Sequence, residues 1–306
     1  MTHALAPYPD PESRDTTTRG LADALGGEAI TYGQSVEGRP LLAVRVPARV
    51  AGAPRVLVTG NIHGVEWISS QVALGVLRVL GTPAGAPLRA NAEVWVIPCL
   101  NPDGYARTFL SGGHGSLAGL RTNANGVDLN RNFPLPAGHV RKRLPGAGSS
   151  TPGKATYVGT GPLSEPESEA LDRLLHDQQF HAGINGHSFM GKVIPARALR
   201  AKEASVYKGL ARALAKAQGA FRYGRLASNW IDTFTGELED HQHHHHRMWA
   251  ACLETFTFGA SVRQHLRAPS LFWRFNPHDV QRWCNNDVPA VAAFLLAALK
   301  QPRPAG

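Results

Sequence analysis

Apolar and polar positions along this chain follow two alternating patterns. Short runs rich in β-branched and aromatic residues are typical of buried strands, and they occur at 41–48 (LLAVRVPA), 55–62 (RVLVTGNI), 92–100 (AEVWVIPCL) and 250–258 (AACLETFTF). Apolar residues at helical spacing predict helices over 67–80 and 288–299. Because the strands are nearly all apolar and alternate with helices, we expect an α/β fold whose sheet is covered on both faces.

A further helix is predicted within the segment SEPESEALDRLL. Ser164 is placed to cap the first amides of this helix, and Glu167, three residues later, to reach back to the amide of Ser164. This capping box predicts a helix start with a structural role.

Two polar side chains stand where the strand at 55–62 gives way to the helix at 67–80. In GNIHGVEW, His63 precedes Glu66 by three residues, and Gly64 between them allows a tight turn. In folds of this class, ligands collect beyond the carboxyl ends of the strands. The pair is therefore either a polar turn with a favourable glutamate at a helix N-terminus, or two of the three protein ligands that a catalytic zinc usually takes.

A second group of polar residues follows the strand at 92–100. The sequence NPDG at 101–104 has turn chemistry and by itself predicts only the end of a strand. The segment RTNANGVDLNRNFP adds Arg121, Asn130 and Arg131 on a stretch rich in Gly and Asn. Guanidinium groups supply fixed, paired donors that match a carboxylate, so this segment is suited to holding an anion.

HGVEW, NPDG and GVDLNRNFP, in this order, resemble the zinc carboxypeptidase family, and their spacing to SEPES is similar to that of its bacterial murein peptide amidase branch. The resemblance runs from Ser35 to Glu254. It implies a central mixed, largely parallel β-sheet with helices on both faces, in a catalytic domain over 29–306 that follows an N-terminal extension over 1–28. It also implies zinc-dependent hydrolysis of a peptide or amide bond next to a free C-terminal carboxylate, in a peptide or a murein peptide.

The resemblance assigns one zinc ion per chain to His63, Glu66 and His187, the last in INGHSFMG. It assigns Arg121 to the scissile carbonyl and Glu254, in ACLETF, to the general base that activates water. The residue types also fit the chemistry, because zinc lowers the pKa of bound water toward roughly 7. A carboxylate in an otherwise apolar strand is costly to bury unpaired, so we expect Glu254 at a cleft.

Substrate-binding residues follow from the same resemblance. Asn130 and Arg131 match the residues that grip the terminal carboxylate. The family commonly has a mobile tyrosine upstream of the general base, where this chain has Asp232, so Tyr223 is assigned to that role with an insertion. The segment before Glu254 is acidic, and we hypothesise that Asp232 and Glu237 receive a basic side chain or an amino group such as that of diaminopimelate.

The tract formed by His241 and 243–246 invites a metal-binding interpretation of its own. We expect a solvent-exposed loop that binds metal adventitiously. Two other functions remain open, a catalytically silent metal-binding protein on a peptidase scaffold and a small-molecule N-deacylase. The presence of Glu254 and Arg121 argues against the first, and the intact GVDLNRNFP argues against the second.

Length and charge place the chain among globular proteins. Its 306 residues are 43% hydrophobic and 18% charged, enough apolar sequence for one large core or two small ones. The formal net charge is +9, but the basic residues are scattered. The compact cluster Arg141, Lys142 and Arg143 has no interleaved aromatic residues, so we expect a solvated basic surface and no nucleic-acid partner.

The cysteines and the N-terminal residues indicate in which cellular compartment the protein is expected. Cys99, Cys252 and Cys284 are odd in number and widely spaced, which predicts neither a disulfide framework nor a cysteine zinc cage and fits a reducing compartment. The first residues contain no apolar stretch long enough for a signal-peptide core, and no segment approaches the roughly 18 apolar residues of a membrane span. We therefore expect a soluble cytoplasmic protein with no membrane partner.

Overall fold

A mixed β-sheet forms the centre of the computed structural model, which describes residues 3–142, 144–226, 233–260 and 262–305. Its strands are β1 (Glu28–Gln34), β2 (Pro40–Val46), β3 (Arg55–Thr59), β4 (Glu93–Ile97), β5 (Ala182–Pro195), β6 (Gly224–Arg225) and β7 (Trp249–Thr257). They lie in the order β1-β2-β4-β3-β5-β6, and β7 pairs with β5. β2 is antiparallel to β1 and β4, whereas β3 is parallel to both β4 and β5. The mixed, largely parallel sheet is therefore confirmed.

Helices connect these strands. They are α1 (Pro11–Ala24), α2 (Trp67–Leu80), α3 (Ala86–Asn91), α4 (Pro102–Leu110), α5 (Leu117–Arg121), α6 (Pro166–Gln178), α7 (Ala201–Ala217), α8 (Leu238–His244), α9 (Val262–Arg267), α10 (Phe272–Phe275) and α11 (Val280–Ala298). The helix predicted over 67–80 is confirmed with the same ends. The helix predicted over 288–299 begins earlier, at Val280, because Asp279 caps it and Pro289 is accommodated in its interior.

Two apolar clusters pack on opposite faces of the sheet. Successive strand residues alternate between them, as in β3, where Val56 and Val58 join one cluster and Leu57 joins the other. The first cluster includes buried residues of α2, α7 and α11, and the second includes Leu171 and Leu175 of α6. The sheet is thus covered on both faces, as its apolar strands predict.

The start of α6 differs from the predicted capping box. The helix begins at Pro166, and Glu165 occupies the cap position without a side-chain cap hydrogen bond. The Ser164 hydroxyl donates to the Glu165 carboxylate instead, and the Glu167 carboxylate accepts from the amide of Val36. The predicted pairing of Ser164 with Glu167 is therefore wrong, because Ser164 bonds its neighbour Glu165 and Glu167 bonds a distant amide.

Two parts of β5, before and after Gly191, pair with β7. The first run leads from Ala182 opposite Trp249 to Ser188 opposite Thr255. After Gly191 the pairing runs in reverse order, from Lys192 opposite Glu254 to Pro195 opposite Ala251. Gly191 has a φ of 59°, and a Cβ atom there would collide with the side chain of Thr257, so the turn requires glycine. This double pairing fixes the central part of β7.

The N-terminal segment packs on the rest of the chain. Leu5 and Tyr8 belong to the first apolar cluster, and the Tyr8 hydroxyl donates to the carbonyl oxygen of Pro277 at 2.7 Å. The division into an extension over 1–28 and a catalytic domain over 29–306 stays a prediction.

All three cysteines, Cys99, Cys252 and Cys284, are buried and free. No helix in the described parts of the chain is long and apolar enough to cross a membrane.

Candidate active site

A cavity of about 410 Å³ opens beyond the carboxyl end of β3 and along β5 and β7. Most of the residues that sequence reasoning singled out line it. The lining residues are His63, Glu66, Arg121, Asn130, Arg131, His187, Ser188, Phe189, Met190, Ile194, Glu237, Glu239, Cys252, Glu254 and Phe275. The fold therefore brings together segments that are far apart in the sequence.

The three predicted zinc ligands converge on one point. His63 Nδ1 lies 2.8 Å from Glu66 Oε1, and His187 Nδ1 lies 3.1 Å from Glu66 Oε2. The two Nδ1 atoms are 3.2 Å apart. Two imidazole nitrogens and a carboxylate are a donor set that catalytic zinc sites use, with a further position left open.

Asp128 orients the His63 ring, a role that sequence reasoning missed. One of its oxygens lies 3.1 Å from His63 Nε2, and the other accepts from Arg121 Nε at 2.9 Å. Burial opposes this charge, but Arg121 and His63 outweigh it and hold the pKa of Asp128 well below its usual range. An ionised carboxylate only accepts hydrogen bonds, so Asp128 favours a proton on Nε2 and leaves Nδ1 as the atom that would meet a cation beside Glu66 and His187.

The protonation of each of the three predicted ligands depends on its buried neighbours. Burial disfavours the Glu66 carboxylate, but His63 and His187 outweigh it and hold the pKa of Glu66 well below its usual range. Burial lowers the pKa of His187, whose Nε2 atom has no hydrogen-bond partner among the described residues. Burial and Arg121 oppose a charge on His63, yet Glu66 and Asp128 raise its pKa. An anionic carboxylate between two ring nitrogens is a setting that a divalent cation fits, so these residues fit zinc.

Glu254 faces the same cavity from β7. It is the register partner of His187 on β5, and atoms of the two side chains lie within 4.8 Å of each other. Its Oε2 atom has no hydrogen-bond partner in the part of the chain that the structure describes. Burial, and then the charge of Glu66, raise the pKa of Glu254 to about 8. A carboxylate held in this way is a stronger base than one in water.

Arg121 ends α5 at the edge of the ligand group. Two of its nitrogens bind Asp128, and its NH1 atom lies 3.8 Å from Glu66 Oε1. The side chain is 16% exposed, so it is desolvated without being sealed from the cavity. This places a fixed cation beside the predicted position of the scissile carbonyl.

The loop that carries His63 is held by close packing. A Cβ atom on Gly64 would lie 2.5 Å from the carbonyl carbon of Gly104, so a larger residue would push the loop away from α4. Asn101 caps α4 by accepting from the Gly104 amide at 2.8 Å and donates to the carbonyl of Ile62 at 3.2 Å. NPDG thus begins a helix and supports the ligand loop, which is more than the predicted turn.

Asn130 and Arg131 also line the cavity. The side-chain Oδ1 atom of Asn130 accepts from the backbone amide of Leu238 at 2.9 Å. Arg131 NH1 lies 3.3 Å from Glu237 Oε1, and its Nε donates to the carbonyl of Gly146 at 3.0 Å. Both side chains are therefore held in place at the cavity wall.

Comparison with known proteins agrees with this geometry. Residues 27–269 match the family model for zinc carboxypeptidases. The chain belongs to the zinc carboxypeptidase family. It is 37% identical over 147 residues to murein peptide amidase A of Escherichia coli (strain K12). This match covers 47% of this chain and 52% of that protein. It is also 32% identical over 164 residues to human carboxypeptidase D. That match covers 42% of this chain and 12% of that protein. The matches thus span about half, or less, of these relatives.

Solved structures show the same fold. Bovine thrombin-activatable fibrinolysis inhibitor, in complex with tick carboxypeptidase inhibitor, has a TM-score of 0.77 and 21% identity over 96% of this chain and 98% of its own. Carboxypeptidase A from Helicoverpa armigera has a TM-score of 0.74 and 20% identity over 95% of this chain and 74% of its own. The zinc carboxypeptidase fold predicted from the sequence is confirmed.

Among the predicted site residues that the structure describes, Tyr223 alone is absent from the cavity lining. The side chain is buried in the first apolar cluster, and its hydroxyl donates to Asp287 Oδ2 at 3.0 Å and accepts from the amide of Phe256 at 3.3 Å. These contacts hold it outside the cavity lining, so we correct its assignment to a structural one. Asp232 lies outside the described residues.

The histidine tract is helical as far as His244, where an exposed loop was predicted. His241 and His243 lie in α8 and are 2% and 0% exposed. His243 Nδ1 pairs with the Tyr207 hydroxyl at 2.9 Å, and His244 Nε2 with the carbonyl of Arg197 at 2.8 Å. The predicted solvent-exposed loop is wrong for these three histidines, because α8 packs their rings against neighbouring elements. His245 follows the helix in a turn and is exposed, as predicted.

Proposed function

We propose that this chain hydrolyses a peptide or amide bond next to a free C-terminal carboxylate, with one zinc ion held by His63, Glu66 and His187. The observation that carries this proposal is the convergence of three ligand atoms within 4.8 Å of one another, in a cavity that Glu254 and Arg121 also line. When bound, zinc polarises a carbonyl oxygen and lowers the pKa of water. Membership of the zinc carboxypeptidase family supports the same reaction.

Glu254 is the proposed general base and acid. Its carboxylate takes a proton from the water that attacks the scissile carbonyl carbon. It then gives this proton to the leaving amine as the carbon–nitrogen bond breaks, so that Glu254 ends the cycle ionised. The unpartnered Oε2 atom and the raised pKa both favour proton uptake at this position.

Arg121 and the pair of Asn130 and Arg131 have separate proposed roles. Negative charge develops on the carbonyl oxygen during attack, and Arg121 stabilises it as a preorganised donor. Loss of one such donor typically costs about 3 to 4 kcal/mol of barrier. Asn130 and Arg131 bind the terminal carboxylate, which sets the distance between the chain end and the bond that is cut.

The substrate class is proposed from the acidic part of the cavity. Glu237 lies beside Arg131, and a second cavity of about 330 Å³ shares Arg131, Ile194 and Glu237 with the first. A terminal residue that carries an amino group would place its cation against Glu237. Similarity to a murein peptide amidase supports murein peptides ending in diaminopimelate, alongside ordinary peptides ending in a basic residue. The cytoplasmic location stays a prediction.

Glu254 and Arg121 also distinguish a hydrolase from a catalytically silent metal-binding protein. A catalytically silent metal-binding protein has no need of a base and a fixed cation beside the ligands, and both line this cavity. The structure therefore favours an active hydrolase over a silent scaffold.

Paired peptides test the proposal. Each pair has the same sequence and ends in a free carboxylate or in an amide, and the protein is stripped of metal and reloaded with zinc. We expect release of the terminal residue only from the free carboxylates and only after zinc is added. Equal cleavage of both forms, or cleavage without zinc, would contradict the proposed site.

The acidic pocket is tested separately with Glu237→Gln. We expect a selective loss of cleavage before lysine or diaminopimelate, with cleavage before neutral residues retained. Glu239→Gln is the matched control, because Glu239 lines the same cavity and burial raises its pKa well above the usual range, which disfavours its charged form. An unchanged preference in Glu237→Gln would remove the basic-residue proposal and leave the reaction class intact.

A further inference from the structure

Three ligand-type side chains meet at a second point, where α8 and the residues after it contact α6. Asp172 Oδ1 lies 2.7 Å from His241 Nε2 and 2.8 Å from His246 Nε2. The two Nε2 atoms are 3.1 Å apart. None of these residues lines the cavity of the proposed catalytic site. We propose that Asp172, His241 and His246 bind a second divalent metal ion, which fastens α8 to α6.

The size of this triangle suits a metal ion. Ligand atoms at about 2.0 to 2.1 Å from zinc lie about 3.3 Å apart in a tetrahedral site and about 2.9 Å apart in an octahedral one. The three separations in the structure, 2.7, 2.8 and 3.1 Å, are close to the octahedral value. Without a metal, both imidazoles direct Nε2 at one carboxylate oxygen, and two N–H groups there would crowd each other. A cation among the three atoms removes this conflict.

The protonation states also suit metal binding. Hydrogen bonds from His241 hold the pKa of Asp172 at about 2, so the carboxylate is ionised at neutral pH. Burial lowers the pKa of His241 to about 4 and also lowers that of His246. An ionised carboxylate and two uncharged rings are consistent with the donor set that the triangle of ligand atoms provides.

Burial gives the cluster a closed side and an open side. The His241 side chain is 2% exposed and stacks on the Phe133 ring at 5.2 Å between centroids. Asp172 and His246 are 29% and 10% exposed, which leaves a path for the ion to enter from solvent. Two nitrogens and one oxygen favour zinc, cobalt, nickel or copper over calcium and magnesium, which prefer oxygen ligands alone.

A metal ion bound at this cluster would stabilise the position of α8, which borders the substrate cavity. α8 starts next to Glu237, a residue of the cavity wall, and the amide of Leu238 donates to Asn130 at 2.9 Å. His241 lies one turn further along the same helix. A metal at the cluster therefore holds the helix whose first residues border the substrate cavity, and its effect is on stability and on the position of that wall.

Metal stoichiometry tests this proposal without using activity. The parent protein is stripped with a chelator, dialysed and titrated with Co²⁺, and bound metal is counted by mass spectrometry and followed by visible absorption. We expect about two ions per chain in the parent and about one in both Asp172→Asn and His246→Ala. His245→Ala is the matched control, because His245 belongs to the same tract but is not part of the ligand triangle; it should still bind about two.

Thermal unfolding gives a second readout. Added Zn²⁺ should raise the melting temperature of the parent and His245→Ala by more than that of Asp172→Asn and His246→Ala, because one binding site is lost in the latter two. The proposal is overturned if Asp172→Asn and His246→Ala keep the parent stoichiometry. It is also overturned if His245→Ala loses as much metal as they do, since that result indicates adventitious binding along the tract. Failure of the proposed catalysis would leave these stoichiometries unchanged.

Discussion

His187 on β5 and Glu254 on β7 are register partners, and Lys192, beyond the Gly191 turn, pairs with Glu254 from the other side. A proposed zinc ligand and the proposed general base therefore stand on adjacent strands whose pairing fixes both backbones. Sites built on strands are held more closely than sites built on loops. Four predictions follow from the positions of these and neighbouring residues.

Replacing Glu254 with glutamine removes the proposed base and keeps the shape of the side chain. We expect kcat to fall by about 10² to 10⁴, the range typical of general acid–base catalysis, with little change in KM or in bound zinc. Steady-state kinetics and metal analysis check both parts. Glu169→Gln, at an exposed position on α6, is the control and should keep the parent rate. Parent-like kcat in the Glu254 variant would exclude it as the base.

The same variant should change how the stability of the metal-free protein depends on pH. Burial raises the pKa of Glu254 from 4.5 to about 8, so the folded state binds this proton more tightly than the unfolded state does. Its contribution to the free energy of unfolding is therefore complete below 4.5 and is lost as the pH rises to about 8. Urea denaturation of chelated protein should show the parent losing stability relative to Glu254→Gln across this window. Parallel pH profiles would contradict the assignment.

Asp128→Asn tests the orientation of the His63 ring. The amide removes the charge that fixes the ring proton on Nε2, so we expect zinc affinity to fall about 10-fold to 100-fold, the usual effect of losing such a partner. Activity measured against buffered free zinc gives this value. Asp23→Asn, on the exposed surface of α1, should leave the zinc dependence unchanged. An unaltered zinc requirement in Asp128→Asn would mean that the ring is oriented by other contacts.

Arg131→Ala tests recognition of the chain end. A hydrogen bond to a charged group contributes about 1.5 to 3 kcal/mol, which corresponds to a loss of roughly 10-fold to 100-fold in kcat/KM. The loss is measured on peptides with a free carboxylate, because the parent is not expected to cut the amidated forms. Arg173→Ala, at an exposed site on α6, controls for a general loss of positive charge. If Arg131→Ala cuts free-carboxylate peptides at the parent rate, another group binds the chain end.

The sequence allowed the parts of the site that depend on local pattern to be predicted. The strand before His63 and the helix after Glu66 have clear apolar periods, and this places the pair at the end of a strand. Asp128 was missed because its role depends on contacts with His63 and Arg121, which only the folded chain brings together. Tyr223 was misassigned because its distance from Glu254 in the sequence does not reveal its hydrogen bond to Asp287 in the folded chain.

The histidine tract shows the same limit. Histidine is polar in hydropathy patterns, so five of them near one another predicted an exposed loop. Burial of His241 comes from Phe133 and Asp172, which lie far away in the sequence. Its surroundings therefore follow from tertiary packing and not from the local pattern.

Mass-spectrometric product analysis tests the proposed hydrolysis most directly. Zinc-loaded parent and Glu254→Gln are each incubated with C-terminally varied peptides and a murein tripeptide. The parent should release terminal residues and the variant should release almost none, while both bind zinc at the ligands His63, Glu66 and His187. If the zinc-loaded parent cuts nothing, or if the variant cuts as fast as the parent, Glu254-assisted hydrolysis at this site is contradicted.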